Sequence, residues 1–203
     1  MRLSVAILLA AILVSAGCMQ FSRSSPPESV FYRLQYEAVA VDCERSLEKS
    51  LLVRDFTASE PFGQQRMVIL GRNKTIRFSG SRQWVASPGD MLSENLRQDL
   101  IQGELFTEVL GSSDPGESAL ELSGRVLTFA AKRTSSGYRA VLRTRIRLNE
   151  AGISGKTLLG KTYSLQSASI AELDQSRFAG VMSDLVRDLS ARLRADLCRV
   201  IEN

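Results

Sequence analysis

Residues 82–105, RQWVASPGDMLSENLRQDLIQGEL, change from extended chain to helix at one point, and that switch divides the chain around it. Ser87 can accept from an otherwise unpaired backbone N–H of a first helical turn. Pro88 suits the first helical position, where no hydrogen bond is lost, and Asp90 can reach back toward the cap N–H at the positive end of the helix dipole. Leu92, Leu96 and Leu100, joined by Ile101 and Leu105, then make an apolar stripe, with Glu94, Arg97, Gln98 and Asp99 facing outward. Such a stripe needs a surface to cover. Trp84, just before the cap, either packs the helix onto that surface or anchors an interface.

The flanking segments supply strands. Residues 30–41 carry apolar points at Phe31, Leu34, Tyr36 and Val39, and residues 51–56, LLVRDF, form a short apolar run after the polar link DCERSLEKS. Residues 65–70 and 74–79 read as a hairpin, and residues 106–110 as a short strand before the loop GSSDPGES. The two longest strands, 119–132 and 138–150, surround the turn Thr134-Ser135-Ser136-Gly137, and residues 156–167 follow as a further strand. Asp174 can cap a second helix reaching to Arg199, with a stripe of Phe178, Val181, Met182, Leu185, Leu189 and Leu193. The fold class expected is α/β: a single domain with a mixed, largely antiparallel sheet and two long amphipathic helices packed on it.

Alternation along 138–150 sorts residues by face. Ala140, Leu142, Ile146 and Leu148 share one side, and Arg139, Arg143, Arg145 and Arg147 share the other, interrupted by Val141. This basic strip can meet anionic head groups or an acidic partner; equally, it can be a solvated face with Glu121 and other acids opposite. A net charge of +4 is too small to mark a nucleic-acid binder.

Little else in the chain suggests chemistry. There is no histidine, hence no Ser-His-Asp triad, and with only three cysteines no conventional metal site is expected. Gly155-Lys156-Thr157 lacks the first glycine of a phosphate loop and leads into a strand instead of a helix. No G-x-S-x-G elbow occurs and no pair of carboxylates is set for acid–base work. The expectation is a protein without catalytic residues or cofactor.

Arg2, an apolar run over residues 5–14 and the small residues Ser15-Ala16-Gly17 precede Cys18. This looks like a bacterial lipoprotein signal, with Ser15 in place of the usual aliphatic residue. The expected organisation is a signal peptide at 1–17, a lipidated Cys18 with a Ser/Pro-rich tether through 29, and a domain over 30–203. Similarity to other lipoproteins makes Met19, in place of Asp, a sign of sorting to the outer membrane, with the domain facing the periplasm. In that oxidising compartment Cys43 and Cys198 are either a disulfide closing nearly the whole domain or two separate thiols; spacing alone does not choose.

The order of these pieces resembles the ABC-type transport auxiliary lipoproteins, including PqiC-like intermembrane transport lipoproteins. The pieces are Phe31-Tyr32-Arg33-Leu34, Leu52-Val53-Arg54-Asp55-Phe56, and Trp84, Pro88 and Leu92 with Leu100, behind a lipoprotein signal. The resemblance implies an α/β domain with no active site. It further implies a role as envelope partner of an ABC permease and ATPase with an MCE-family periplasmic protein, moving phospholipids or other apolar molecules, with a homo-oligomer left open. The alternative is a periplasmic carrier that encloses a lipid or small ligand itself.

Overall fold

Among the described residues the sheet has nine strands, β1 (Val30–Tyr32), β2 (Leu47–Val53), β3 (Thr57–Ala58), β4 (Arg66–Leu70), β5 (Ile76–Trp84), β6 (Phe106–Gly111), β7 (Leu120–Thr134), β8 (Gly137–Glu150) and β9 (Thr157–Gln166). Helix α1 spans Pro88–Gln102 and α2 spans Gln175–Glu202. The computed structural model describes residues 28–41, 43, 46–152 and 155–202. The expected signal peptide, Cys18 and most of the tether lie outside the described residues.

β7 organises the sheet. Along one edge it takes β2, β3 and β4 in turn, all parallel to it, and along the other it takes β8 antiparallel, with β9 antiparallel beyond. β6 flanks β2 in parallel, β5 flanks β4 antiparallel, and β1 runs parallel to β5. The sheet is therefore mixed, which corrects the expectation of a largely antiparallel one. Short connections impose antiparallel pairing on β7–β8–β9, whereas β2 to β4 reach β7 only after long connections that let the chain re-enter in the same direction.

Two strand expectations also shift. Residues 30–41 form a strand only as far as Tyr32, because its ladder partner β5 ends at Trp84, where the chain turns toward α1. The following segment is held otherwise: the Gln35 N–H donates to Ser183 Oγ at 3.0 Å, Tyr36 Oη donates to Asp99 Oδ2 at 2.8 Å, and Leu34 is buried. β2 begins at Leu47, inside the stretch read as a polar link, and ends at Val53. Phe56 lies past it and wedges beneath α1, so close to β7 that a Cβ at Gly124 would overlap its ring.

α1 starts at the expected place. Ser87 Oγ accepts from the Asp90 N–H at 3.2 Å and donates to the Asp90 carboxylate at 2.8 Å, so the reciprocal bond goes to the cap hydroxyl. Leu92, Leu96, Leu100 and Leu105 are buried, and Asp99, expected outside, is buried against Tyr36 while Ile101 is exposed. Asp174 caps α2, accepting from the Ser176 and Arg177 N–H groups. The α2 stripe is buried at Phe178, Met182, Leu185, Leu189 and Leu193 and continues to Leu197. α1 lies over β6 and β7, α2 over β8 and β9, and Leu122, Val126, Leu142, Ile146 and Leu148 meet them from the sheet. At about 1.5 Å per residue α2 is roughly 40 Å long, which lets it run across the long hairpin.

Candidate functional site

With the helices on one face, the odd-numbered residues of β8 are left on the other. Arg143, Arg145 and Arg147 are exposed there, while Arg139, at the hairpin end, is half-buried opposite Lys132. The structure thus gathers three of the four predicted arginines in one place. Their cross-strand neighbours are Ser164, Thr162 and Gly160 on β9, and Thr128, Arg125 and Ser123 on β7. Glu121, expected to balance the strip, sits opposite Asn149 and is bound by Arg54 at 2.9 Å, so it is committed elsewhere.

Arg125 is the residue that sequence reasoning missed. Counted back from the Thr134–Gly137 turn, an unbroken ladder would set Val126 against Arg145, but a bulge between Val126 and Thr128 brings Arg125 there instead. The alternation of Leu122 and Val126 with Ser123 and Arg125 was the available signal. Beside these residues opens a cleft of about 350 Å³, with Arg125, Arg145, Arg147 and Ser123 in its wall and Asp55 and Thr57 at its side. Arg145 and Arg147 also border a second cleft of about 470 Å³ that runs toward β9.

A separate polar cluster ties α2 to the sheet edge. Asp196, nearly buried, accepts from Tyr163 Oη at 2.7 Å and Lys161 Nζ at 2.6 Å and pairs with Arg199. Burial by itself would raise its pKa, but the bonds from Lys161 and Tyr163 and the charges of Lys161 and Arg199 outweigh it and hold the carboxyl below its usual range. Burial, together with the bond to Asp196 and its charge, pushes the Tyr163 hydroxyl far upward. A carboxyl depressed in the folded state stabilises above its unfolded pKa and loses that contribution as pH falls through the folded value. Replacing Asp196 with Asn should therefore cost about 1–2 kcal/mol at neutral pH, with the Lys161 share screened by solvent. That difference should begin to shrink only as pH falls below about 4 and should approach zero once pH passes below the depressed folded value, as measured by urea unfolding of both proteins across pH.

Cys43 and Cys198 are joined as a disulfide with a Cα–Cα distance of 5.6 Å. With Gln35 on Ser183 and Tyr36 on Asp99, the bond straps the irregular segment after β1 across both helices. The tie points Ser183 and Cys198 lie about 22 Å apart along α2, so the strap follows the helix over much of its length.

Comparison with known proteins follows from this architecture. No family model matches the chain, and no curated protein matches it by sequence. Among solved structures it is similar to protein XCC0632 of Xanthomonas campestris, described as a DUF330 protein, at TM-score 0.73 and 14% identity, covering 84% of this chain and 96% of that one. An uncharacterized protein matches at TM-score 0.62 and 14% identity over 84% of this chain and 99% of its own. The hypothetical protein CT253 of Chlamydia trachomatis matches at TM-score 0.50 and 8% identity, over 76% and 98%. The likeness is one of fold. At such identities it transfers no residue roles, so the chemistry must come from this chain's own side chains.

The basic face presents guanidinium and hydroxyl donors, suited to oxyanions. Among the described residues no group of three or more His, Cys, Asp or Glu side chains could hold a metal ion, and no helix is long and apolar enough to cross a membrane.

Proposed function

We propose that the chain is a non-catalytic auxiliary lipoprotein, fixed to the outer membrane through Cys18, that docks the periplasmic part of an ABC/MCE-type transporter of lipids or other apolar solutes. The observation that carries this reading is where the residues of the family resemblance sit. Tyr32 pairs with Trp84 across the β1–β5 ladder, and Leu34, Val53, Trp84, Leu92 and Leu100 are core. A Cβ at Gly89 would run into the Phe56 carbonyl, so α1 seats directly on the end of the LVRDF segment. Residues shared with the resemblance thus build one seam that sets helix on sheet. This supports a scaffold whose work is positional, with its sequence signature spent on shape.

The test is direct. Cys18→Ala should move the protein from the outer-membrane to the periplasmic fraction with an unchanged melting temperature, and affinity capture of the wild type from detergent-solubilised envelopes should bring down an MCE-family protein. Retention of the variant in the membrane would contradict the anchor. Lipid recovered by extraction from the washed protein, with no protein partner, would favour the carrier reading instead.

A further inference from the structure

We propose that the cleft on the exposed face of β7 and β8, bordered by Asp55 and Thr57, is a phosphate-binding site, in which Arg125, Arg145 and Arg147 grip the oxyanion. The proposal stands apart from the lipid anchor and the transporter, and either can fail alone. The first ground is charge. Arg125 and Arg145 are direct cross-strand partners on the face away from the helices, an arrangement of like charges that destabilises a sheet unless an anion joins them. Arg147, two residues along the same face, lies about 7 Å further on, within reach of the same group. No carboxylate is in ion-pair contact with any of the three among the described residues. Arg125 spends its Nε on Ser59 Oγ at 3.1 Å, leaving its terminal nitrogens to the cleft. Asp55 also lines the cleft, beyond ion-pair distance of the three arginines.

The second ground is shape and donor chemistry. The cleft of about 350 Å³ is large enough for a phosphate ester, and Gly160 opposite Arg147 leaves the adjoining space toward β9 unfilled. Beside the arginines stand the hydroxyls of Ser123 and Thr162, which add hydrogen-bond donors to the guanidinium groups. Guanidinium forks match phosphate oxygens in bidentate geometry. A protein-binding hot spot would be expected to centre on an aromatic or aliphatic anchor, and the cleft has none in its wall. The observations therefore favour a phosphate group over an acidic polypeptide.

The experiment titrates the full-length detergent-solubilised protein with inorganic phosphate, with short-chain phosphatidylglycerol below its micelle concentration, and with poly-glutamate, reading affinity by calorimetry and melting temperature in parallel. Binding of phosphatidylglycerol alone would identify the source as a lipid headgroup; equal binding of inorganic phosphate would identify soluble phosphates; both support the site. Arg145→Thr should weaken that binding by about tenfold or more. In anion-free buffer it should leave the melting temperature unchanged or slightly higher, since it relieves the Arg125 repulsion. Lys132→Gln, which removes one charge at the hairpin end, should leave affinity unchanged. The proposal is overturned if neither phosphate species binds, if poly-glutamate binds as tightly as they do, or if Arg145→Thr binds as well as the wild type.

Discussion

Reducing the Cys43–Cys198 bond, or replacing both residues with Ala, should lower the stability of the protein by about 3–5 kcal/mol. The two residues are 155 apart in sequence, so the bond closes almost the whole domain into one loop and removes a large share of the unfolded chain's freedom. For a domain of this size such a loss lowers the melting temperature by about 8–15 °C. Part of the effect should be local. Cys198 is buried on α2 and Cys43 ends the segment that Gln35 and Tyr36 pin to Ser183 and Asp99, so the reduced protein should exchange amide protons fastest around residues 33–43. The check is calorimetry with and without reductant, together with alkylation of the unreduced protein under denaturing conditions. Two thiols alkylated there without reductant, and a melting temperature indifferent to reductant, would mean that the hydrogen bonds alone hold the strap.

Which parts of this architecture were legible in the sequence depends on how local their causes are. The Ser87-Pro88-Asp90 start of α1, the Asp174 cap of α2 and the β7–β8 hairpin were all readable, because each is specified by residues within a few positions of one another. The parallel pairing of β2, β3 and β4 with β7 was not. It depends on which strand edges meet after connections of tens of residues, and no turn encodes that. The stretch Leu47–Ser50 looks like a polar link and is strand because β6 lies beside it. The strap departs in the opposite sense: apolar points at Leu34 and Tyr36 suggest a strand, but the segment is held against the helices. The candidate site divides in the same way. Three of its arginines follow from alternation within β8, whereas Arg125 needs the register across a bulge.

Trp84→Ala should be about as damaging as loss of the disulfide, at about 3–5 kcal/mol, for a reason that lies wholly in packing. Trp84 is 1% exposed at the end of β5, edge-on to Phe129 of β7 with ring centroids 5.2 Å apart and 5.8 Å from Phe178 of α2. It thus joins two strands and a helix at the point where the chain turns into α1. Its backbone is held independently, by N–H donation to the Gln65 carbonyl at 2.7 Å, so the strand end should survive the substitution while the cavity remains. Trp84→Phe should recover roughly half the loss by refilling the space and keeping an aromatic edge toward Phe129. As the only tryptophan in the chain, Trp84 also reports its own burial: wild-type emission should be blue-shifted and move red in the same urea transition that circular dichroism follows. Either variant that kept wild-type stability while losing an envelope partner would return Trp84 to the role of interface anchor. Its near-total burial argues against that, since a side chain already surrounded by Phe129 and Phe178 has no surface left to offer.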